Sequence, residues 1–553
     1  MTDIAVNADG DKLYIASINQ VYRMDVATGS LALFAGDGTD GFSGDGGPAL
    51  AAKFNNITAL AVAPEGGLLI GDTFNSRIRY VVPDSIRLVG DSGQTEIHLP
   101  WIRELAGDLI LSNNTNLTNV TAGSLTNVGG VVSVNGNTAA GVLDLGALQS
   151  AGTVSVTGNT VAGNLDLSSL ETVSGDLILS ENAAAGNLDL GSLGSVSGDL
   201  IITANTSAGD LDLSSLESAG TIEISGNTET GNLDLSSLAE ASGDLTIESN
   251  APNAVVNLAN LTTYGCGTND VTMTFNGGTV AMTNGLTLCT NATLTGSTTI
   301  DGSVTNNGTI EPGFSPGRLN ITGNLHLNGT SRLNLEIGGY GSNEFDVVNV
   351  GGNFTLGGNI SVSLIGNFKW VMTNGASFTM LTAGTSLSGS FANAASGNLL
   401  TTTDGYARFT LLTSGDNTVH LTNLQIVDTD SDGMPDWWED HFGLSKTNAA
   451  DAELDADGDR ASNANEFVAG TDPTNPSSAF RLLSIGREPG GVRLTWSAVG
   501  GKIYRVQTNG SLPGNFADNG ALLKVSGTGE ITTNILNSET FTNGRYYRLR
   551  LAP

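Results

Sequence analysis

Apolar and polar positions along this chain of 553 residues fall into a pattern that restarts seven times between Gly107 and Tyr264. Each copy opens on a glycine, at Gly107, Gly130, Gly152, Gly175, Gly198, Gly220 and Gly243, at intervals of 22 or 23 residues. The second and fourth residues after each glycine are apolar, as in Leu109/Leu111, Val154/Val156 and Ile222/Ile224. Such alternation predicts a strand with one buried face. A second alternation follows, as in Leu143-Asp-Leu145 and Leu188-Asp-Leu190, then another apolar position at Leu148, Leu170, Leu193, Leu216, Leu238 and Leu261. Each copy thus supplies two or three short strands, and none can bury its apolar face alone. A fixed period of this length predicts a stacked solenoid held together by its neighbours.

Two polar columns run through the repeat. Seven residues after each glycine stands an asparagine: Asn114, Asn137, Asn159, Asn182, Asn205, Asn227 and Asn250. A side-chain amide at a coil corner can donate to and accept from backbone groups that the turn leaves unpaired, so this column is expected to point inward. Asp144, Asp166, Asp189, Asp212 and Asp234 lie between inward leucines and should point outward, in register. At a spacing of about 4.8 Å, neighbouring charges in water repel by somewhat under ~1 kcal/mol. No Lys, Arg or His occurs between Glu104 and Gly317 to relieve this. Two readings stay open: a solvated acidic face, or a stripe that loosely holds divalent cations or basic partners. Copies such as "SLETVSGDLILSENAAAGNLDLGSL" resemble receptor L-domain and leucine-rich-type solenoids, a resemblance that implies a ligand-binding or adhesive surface.

The rhythm differs on either side of residues 101–265. Before it, Gly44-Asp45-Gly46-Gly47-Pro48-Ala49 and Gly71-Asp72-Thr73-Phe74-Asn75-Ser76-Arg77-Ile78-Arg79 resemble blade signatures of NHL-type β-propellers. About two blades fit before Pro100, too few to close a propeller of four to eight. Residues 1–100 are therefore expected to form a partial propeller-like end, with upstream blades missing or the solenoid capping the remnant. After it, residues 266–424 carry longer alternating strands. There, Gly308-Thr309-Ile310-Glu311-Pro312-Gly313 and Ser315-Pro316-Gly317 resemble the carboxy-terminal passenger repeats of autotransporters, implying a right-handed β-helical stalk and an extracellular setting.

The segment 425–478 holds the motif with the most definite chemistry. In "DTDSDGMPDWWE", Asp428, Asp430, Asp432, Asp436 and Glu439 occupy positions 1, 3, 5, 9 and 12 of a twelve-residue calcium loop, with Gly433 at position 6. Calcium takes six to eight hard oxygens, and the glycine permits the sharp turn that gathers them. The backbone carbonyl of Met434 would serve position 7, and Glu439 would bind through both oxygens. A second loop, "DADGDRASNANE", offers Asp455, Asp457, Asp459, Asn463 and Glu466, but Arg460 stands where glycine is expected. That arginine should strain the turn and place a positive charge near the ion. With "GTDPTNP" following, the pair resembles the dockerin-like and thrombospondin type 3-like calcium linkers of secreted bacterial proteins. Trp437 and Trp438 are expected to pack against this linker rather than bind sugar.

The expected fold class is all-β: a right-handed β-solenoid or β-helix with a partial propeller-like amino terminus, a calcium-loop linker, and a small β-sandwich over 479–553 that resembles Ig or fibronectin modules. The net charge of −33 argues against nucleic acid as a partner, since phosphate binding needs clustered Lys and Arg. Nine of the 22 basic residues follow Ala479, where they form a solvated strand face or a dock for an acidic surface. Cys266 and Cys289 lie one coil period apart, which leaves open a disulfide between adjacent coils or two reduced thiols. No stretch is long and apolar enough to span a membrane. The opening "MTDIAVNADGDKLYIAS" reads as a strand entering a turn, so export is expected to use a signal outside this sequence, or the sequence to be part of a longer protein.

Three functions are weighed. The favoured one is a non-catalytic extracellular or cell-surface protein, a solenoid stalk or adhesion scaffold with a calcium-stiffened joint and a surface glycan or protein as ligand. The second is a self-associating subunit of a filament or array. The third is a β-helix enzyme acting on polysaccharide. It is disfavoured because the coils lack a cationic base, and because His98, His326, His420 and His441 are scattered without nucleophile or metal-ligand spacing.

Overall fold

The computed structural model describes residues 1–553 except 8–9, 64–65, 138–141, 160–164, 184–188, 207–210, 228–230, 251–254, 314, 490, 527–529, 538–544 and 553. The chain is nearly all β, with 5% helix and a parallel solenoid of about 11 turns. It divides into two compact units. One comprises residues 1–362, 378–398 and 411–420, and the other residues 363–377, 399–410 and 421–553.

The first unit opens with two antiparallel meanders. Asp3–Val6, Lys12–Ala16, Val21–Asp25 and Leu31–Ala35 form one sheet, and Ile57–Val62, Leu68–Asp72 and Arg77–Val81 form another. Tyr14, Val21, Phe54, Ile57, Leu68 and Ile70 share a core. Residues of the two glycine- and aspartate-rich segments, 44–49 and 71–79, help to hold these sheets. Buried Asp72 accepts from Asn55 N (2.7 Å) and Asn75 Nδ2 (2.8 Å). Arg79 donates to Lys53 O (2.7 Å) and Ser43 O (2.9 Å) and pairs with Asp45 (2.7 Å).

The solenoid ladder begins at Ile86–Val89 and Glu96–His98, which pair in parallel with Leu109–Ser112 and Asn119–Thr121. From there the register steps one coil at a time: Leu109 on Val132, Val132 on Val154, Val154 on Leu177, Leu177 on Leu200, Leu200 on Ile222 and Ile222 on Leu245. These residues are buried completely, so each coil's apolar face is covered by its neighbours. The expected strand residue Leu188 lies outside the described residues.

The asparagine column is a buried ladder. Asn114 Oδ1 accepts from Asp91 N (2.9 Å), and from Asn137 on each Oδ1 accepts the backbone N–H of the asparagine one coil earlier: Asn114 to Asn137 (3.0 Å), Asn137 to Asn159 (3.0 Å), Asn159 to Asn182 (3.3 Å), Asn182 to Asn205 (3.2 Å), Asn205 to Asn227 (3.1 Å) and Asn227 to Asn250 (3.1 Å). Each Nδ2 donates back into the strand of the preceding coil, as Asn182 does to Val156 O (2.8 Å) and Asn205 to Leu179 O (2.8 Å). The glycine column has a steric cause. A Cβ on Gly152 would stand 2.4 Å from Gly130 O, and one on Gly220 2.6 Å from Gly198 O, so adjacent coils approach too closely for any side chain.

Past Tyr264, which stacks on Leu288, Cys266 and Cys289 are joined by a disulfide between adjacent coils, with Cα atoms 5.0 Å apart. The parallel ladder continues through Thr279–Leu288, Thr298–Asn306, Arg318–Ile321 and Val347–Val350.

Among its described residues the second unit contains the short helices Phe368–Val371, Asp436–Phe442 and Asn463–Ala469, and beyond them two antiparallel sheets. One sheet joins Leu482–Glu488, Gly491–Val499 and Glu530–Asn537; the other gathers Ala517–Asp518, Leu523–Lys524 and Tyr546–Leu551 around Ile503–Asn509. Trp496 from one and Tyr504 from the other share a buried core, which makes this a small sandwich. Trp437 and Trp438 are buried too: Trp437 packs on Trp370, and Trp438 on Phe442 and Phe467.

Candidate metal centre

The first acidic loop is folded by its own backbone. Asp428 accepts from Ser431 N (2.7 Å) through Oδ1 and from Gly433 N (2.9 Å) through Oδ2. Ser431 (φ 65°) and Gly433 (φ 97°) take left-handed conformations, which bend the chain back over Asp428. Pro435 then leads into the helix Asp436–Phe442, which Gly443 ends at φ 72°. Glu439 lies one turn into that helix and is fully buried.

The resulting cluster is rich in acceptors and poor in donors. One carboxylate oxygen from each of Asp428, Asp430 and Asp432 lies within 4.8 Å of the others, and the same holds for Asp432, Glu439 and Asp451. Both oxygens of Asp430, both of Glu439, Oδ2 of Asp432 and Oδ1 of Asp451 are buried with no hydrogen-bond donor among the described residues. Burial first, and the neighbouring charges of Asp430, Asp432 and Asp451 second, push the Glu439 carboxyl up to about 8. Burial raises Asp432 as well, against the Met434 N–H that it accepts at 2.8 Å.

The expected ligands do not all enter this cluster. Asp436 spends its oxygens on Thr429, accepting its N–H (2.7 Å) and its hydroxyl (2.7 Å), and so ties the loop to the helix. The Met434 side chain is fully buried. Asp451, which sequence spacing did not bring in, arrives from the short turn Asp451–Glu453, its Oδ2 held by Ser445 N at 2.8 Å. The only sequence sign of it is an acid just ahead of the second loop.

That second loop repeats the first in backbone form. Asp455 accepts from Gly458 N (2.8 Å) and Asp459 N (3.0 Å) through Oδ1 and from Arg460 N (2.7 Å) through Oδ2, bonds that hold its carboxyl below the usual range, the Arg460 bond foremost. Gly458 (φ 82°) and Arg460 (φ 79°) take the left-handed places of Ser431 and Gly433, so the arginine does sit in a strained conformation. Its side chain is exposed, and the cation at the loop is Arg481, 2.9 Å from Asp459 Oδ2. Asp455, Asp457 and Asp459 again lie within 4.8 Å of one another. Glu466 is fully buried; Thr471 Oγ1 donates to its Oε1 (3.1 Å), and Oε2 has no donor among the described residues. Burial raises its carboxyl to about 7, and burial raises Asp457 likewise. Asn463 donates Nδ2 to Asp451 O at 2.8 Å and leaves Oδ1 buried without a donor.

Both loops therefore present hard oxygens without soft ligands, and buried oxygens that no N–H or O–H among the described residues satisfies. Buried acceptors of this kind destabilise a fold unless a cation or proton meets them. The donor set suits a divalent, oxygen-seeking ion, Ca²⁺ before a thiophilic one.

The outward aspartates of the solenoid do something else. They stack in register, as in Asp144 on Asp166 and Asp212 on Asp234. Each one's Oδ1 accepts the N–H two residues on: Gly146 (3.1 Å), Ser168 (3.0 Å), Gly191 (3.0 Å), Ser214 (2.9 Å) and Ser236 (2.9 Å). These turns explain the column structurally. A further acidic column escaped sequence reading, although its Gly-Asp dipeptides are visible. Asp108, Asp176, Asp199 and Asp244 accept backbone N–H groups of the next coil, at 2.8, 3.0, 3.0 and 2.7 Å.

Comparison with protein-family models, curated proteins and solved structures finds no match to this chain. Among the described residues, no helix is long and apolar enough to cross a membrane.

Proposed function

We propose that this is a non-catalytic extracellular scaffold, a β-solenoid joined to a calcium-stiffened segment that carries a terminal sandwich. The observation that carries the calcium reading is Glu439, a fully buried carboxylate with neither oxygen satisfied by a donor among the described residues, facing Asp430, Asp432 and Asp451. Asp428, Asp430, Asp432, Glu439 and Asp451 would hold one ion system; Asp455, Asp457, Asp459, Asn463 and Glu466 would hold the other. Calcium would neutralise carboxylates that otherwise repel and draw the loops onto the two short helices. Each helix is only 7 residues long, too short to be stable by itself.

The scaffold reading is supported by how the solenoid uses its polar columns: asparagines go to the buried ladder, aspartates to turns and to the next coil. The disulfide Cys266–Cys289 favours an oxidising, extracellular compartment. Such a scaffold would combine NHL-like blades, an autotransporter-passenger-like stalk, a dockerin-like or thrombospondin type 3-like linker and an Ig-like module, and would meet a surface glycan or protein as its ligand.

The test is calcium titration of the EDTA-treated chain, followed by thermal melting and limited proteolysis. Melting of the second unit should rise with calcium, by RT ln(1 + [Ca²⁺]/Kd) in free energy, and cleavage near residue 450 should be suppressed. Unchanged melting and unchanged cleavage would remove the calcium joint.

A further inference from the structure

The two acidic loops meet at one pair of residues. Asp451 brings a carboxylate oxygen within 4.8 Å of oxygens of Asp432 and Glu439 in the first loop, and its Oδ1 is buried with no donor among the described residues. The backbone carbonyl of the same residue accepts Nδ2 of Asn463 at 2.8 Å. Asn463 is the ninth residue of the second loop, and its side chain is almost completely buried. An amide has one donor end and one acceptor end. The bond to Asp451 O therefore fixes which end of Asn463 is left for the second loop: Oδ1, the end that can bind a cation. A second tie runs the same way, since Asn463 N donates to Leu454 O at 2.9 Å, and Leu454 closes the turn that begins at Asp451.

We propose that the two loops bind their cations cooperatively through this Asp451–Asn463 relay. The inference rests on the calcium reading above and adds a regulation to it. A cation in the first loop anchors the Asp451 carboxylate and with it the Asp451–Glu453 turn. The anchored carbonyl holds Asn463 with Oδ1 presented, so the second loop meets its ion with a ligand already oriented and loses less conformational freedom on binding. The relay works equally in reverse, because coupling between two binding equilibria is reciprocal. Calcium would thus switch the segment as a unit over a narrow concentration range instead of in two independent steps.

Calorimetric titration of the full chain with Ca²⁺ tests this. In the wild type, two ion systems should fill with a Hill coefficient above 1. Glu466→Gln, which weakens the second loop only, should lower the affinity of the first. Glu439→Gln should lower the affinity of the second by the same factor, within the range of about 5- to 150-fold typical of site coupling. Asn463→Ala, which touches no first-loop carboxylate, should also weaken the first loop. Circular dichroism confirms folding of each variant, and the wild-type isotherm needs no variant at all. Two loops that bind calcium independently, each indifferent to the other's mutation, would overturn the relay and leave the calcium reading standing. No calcium binding in the wild type would overturn both.

Discussion

Asn182 sits in the middle of the buried ladder and is 1% exposed, so Asn182→Ala isolates what one rung contributes. The wild-type Oδ1 accepts from Asn159 N (3.3 Å) and Asn159 Nδ2 (2.9 Å), and Nδ2 donates to Val156 O (2.8 Å) and to Asn205 Oδ1 (3.1 Å). Alanine removes all four bonds, while the Asn182 N–H keeps its partner in Asn205 Oδ1. The Asn159 N–H and the Val156 carbonyl then each lose a partner in a site closed to water. At about 1–3 kcal/mol per unsatisfied buried group, the expected loss is about 2–6 kcal/mol. Asn182→Asp should be at least as damaging, because it keeps an acceptor but removes both donor hydrogens and buries a charge. Asp166→Asn is the control: it preserves the oxygen that accepts from Ser168 N and should stay within about 0.5 kcal/mol. Urea unfolding followed by far-ultraviolet circular dichroism gives the free energies, and amide exchange at Asn159 reports the orphaned group directly. A loss under about 1 kcal/mol for Asn182→Ala, with no faster exchange at Asn159, would refute the ladder as a source of stability.

Other outcomes follow from the same geometry. Gly152→Ala puts a methyl 2.4 Å from Gly130 O, a backbone atom that cannot swing aside, and should cost about 1–3 kcal/mol by urea unfolding. Reducing Cys266–Cys289 opens a loop with a sequence separation of 23 and should lower stability by about 3 kcal/mol, read as a drop in urea midpoint with dithiothreitol. For the calcium loops, the folded carboxyls of Glu439 and Glu466 stand at about 8 and about 7, above the unfolded value of about 4.3. The folded state therefore holds more protons in that window, and stability in EDTA should fall as pH rises from about 4.3 to about 8. Calcium takes the place of those protons and should abolish the fall. A midpoint in EDTA that is flat or rising over that interval would contradict the raised carboxyls.

The sequence by itself determined what repeats. The 22–23-residue period, the paired apolar positions and the asparagine column follow from chemistry restated in every coil, so strand, register and inward amide were legible without coordinates. The loop spacing of Asp428, Asp430, Asp432 and Glu439 was legible for the same local reason: ligands a few residues apart are brought together by one turn. Only the tertiary structure decided the partners that are distant in sequence or ambiguous in direction. It engaged Asp436 with Thr429, brought Asp451 in beside Glu439, and placed Arg481 rather than Arg460 at Asp459. It also turned the outward aspartates to their own backbone and closed Cys266 onto Cys289. Spacing restricts where a side chain can reach, but its hydrogen-bond partner is fixed by which other groups the folded chain brings within about 3 Å and shields from water.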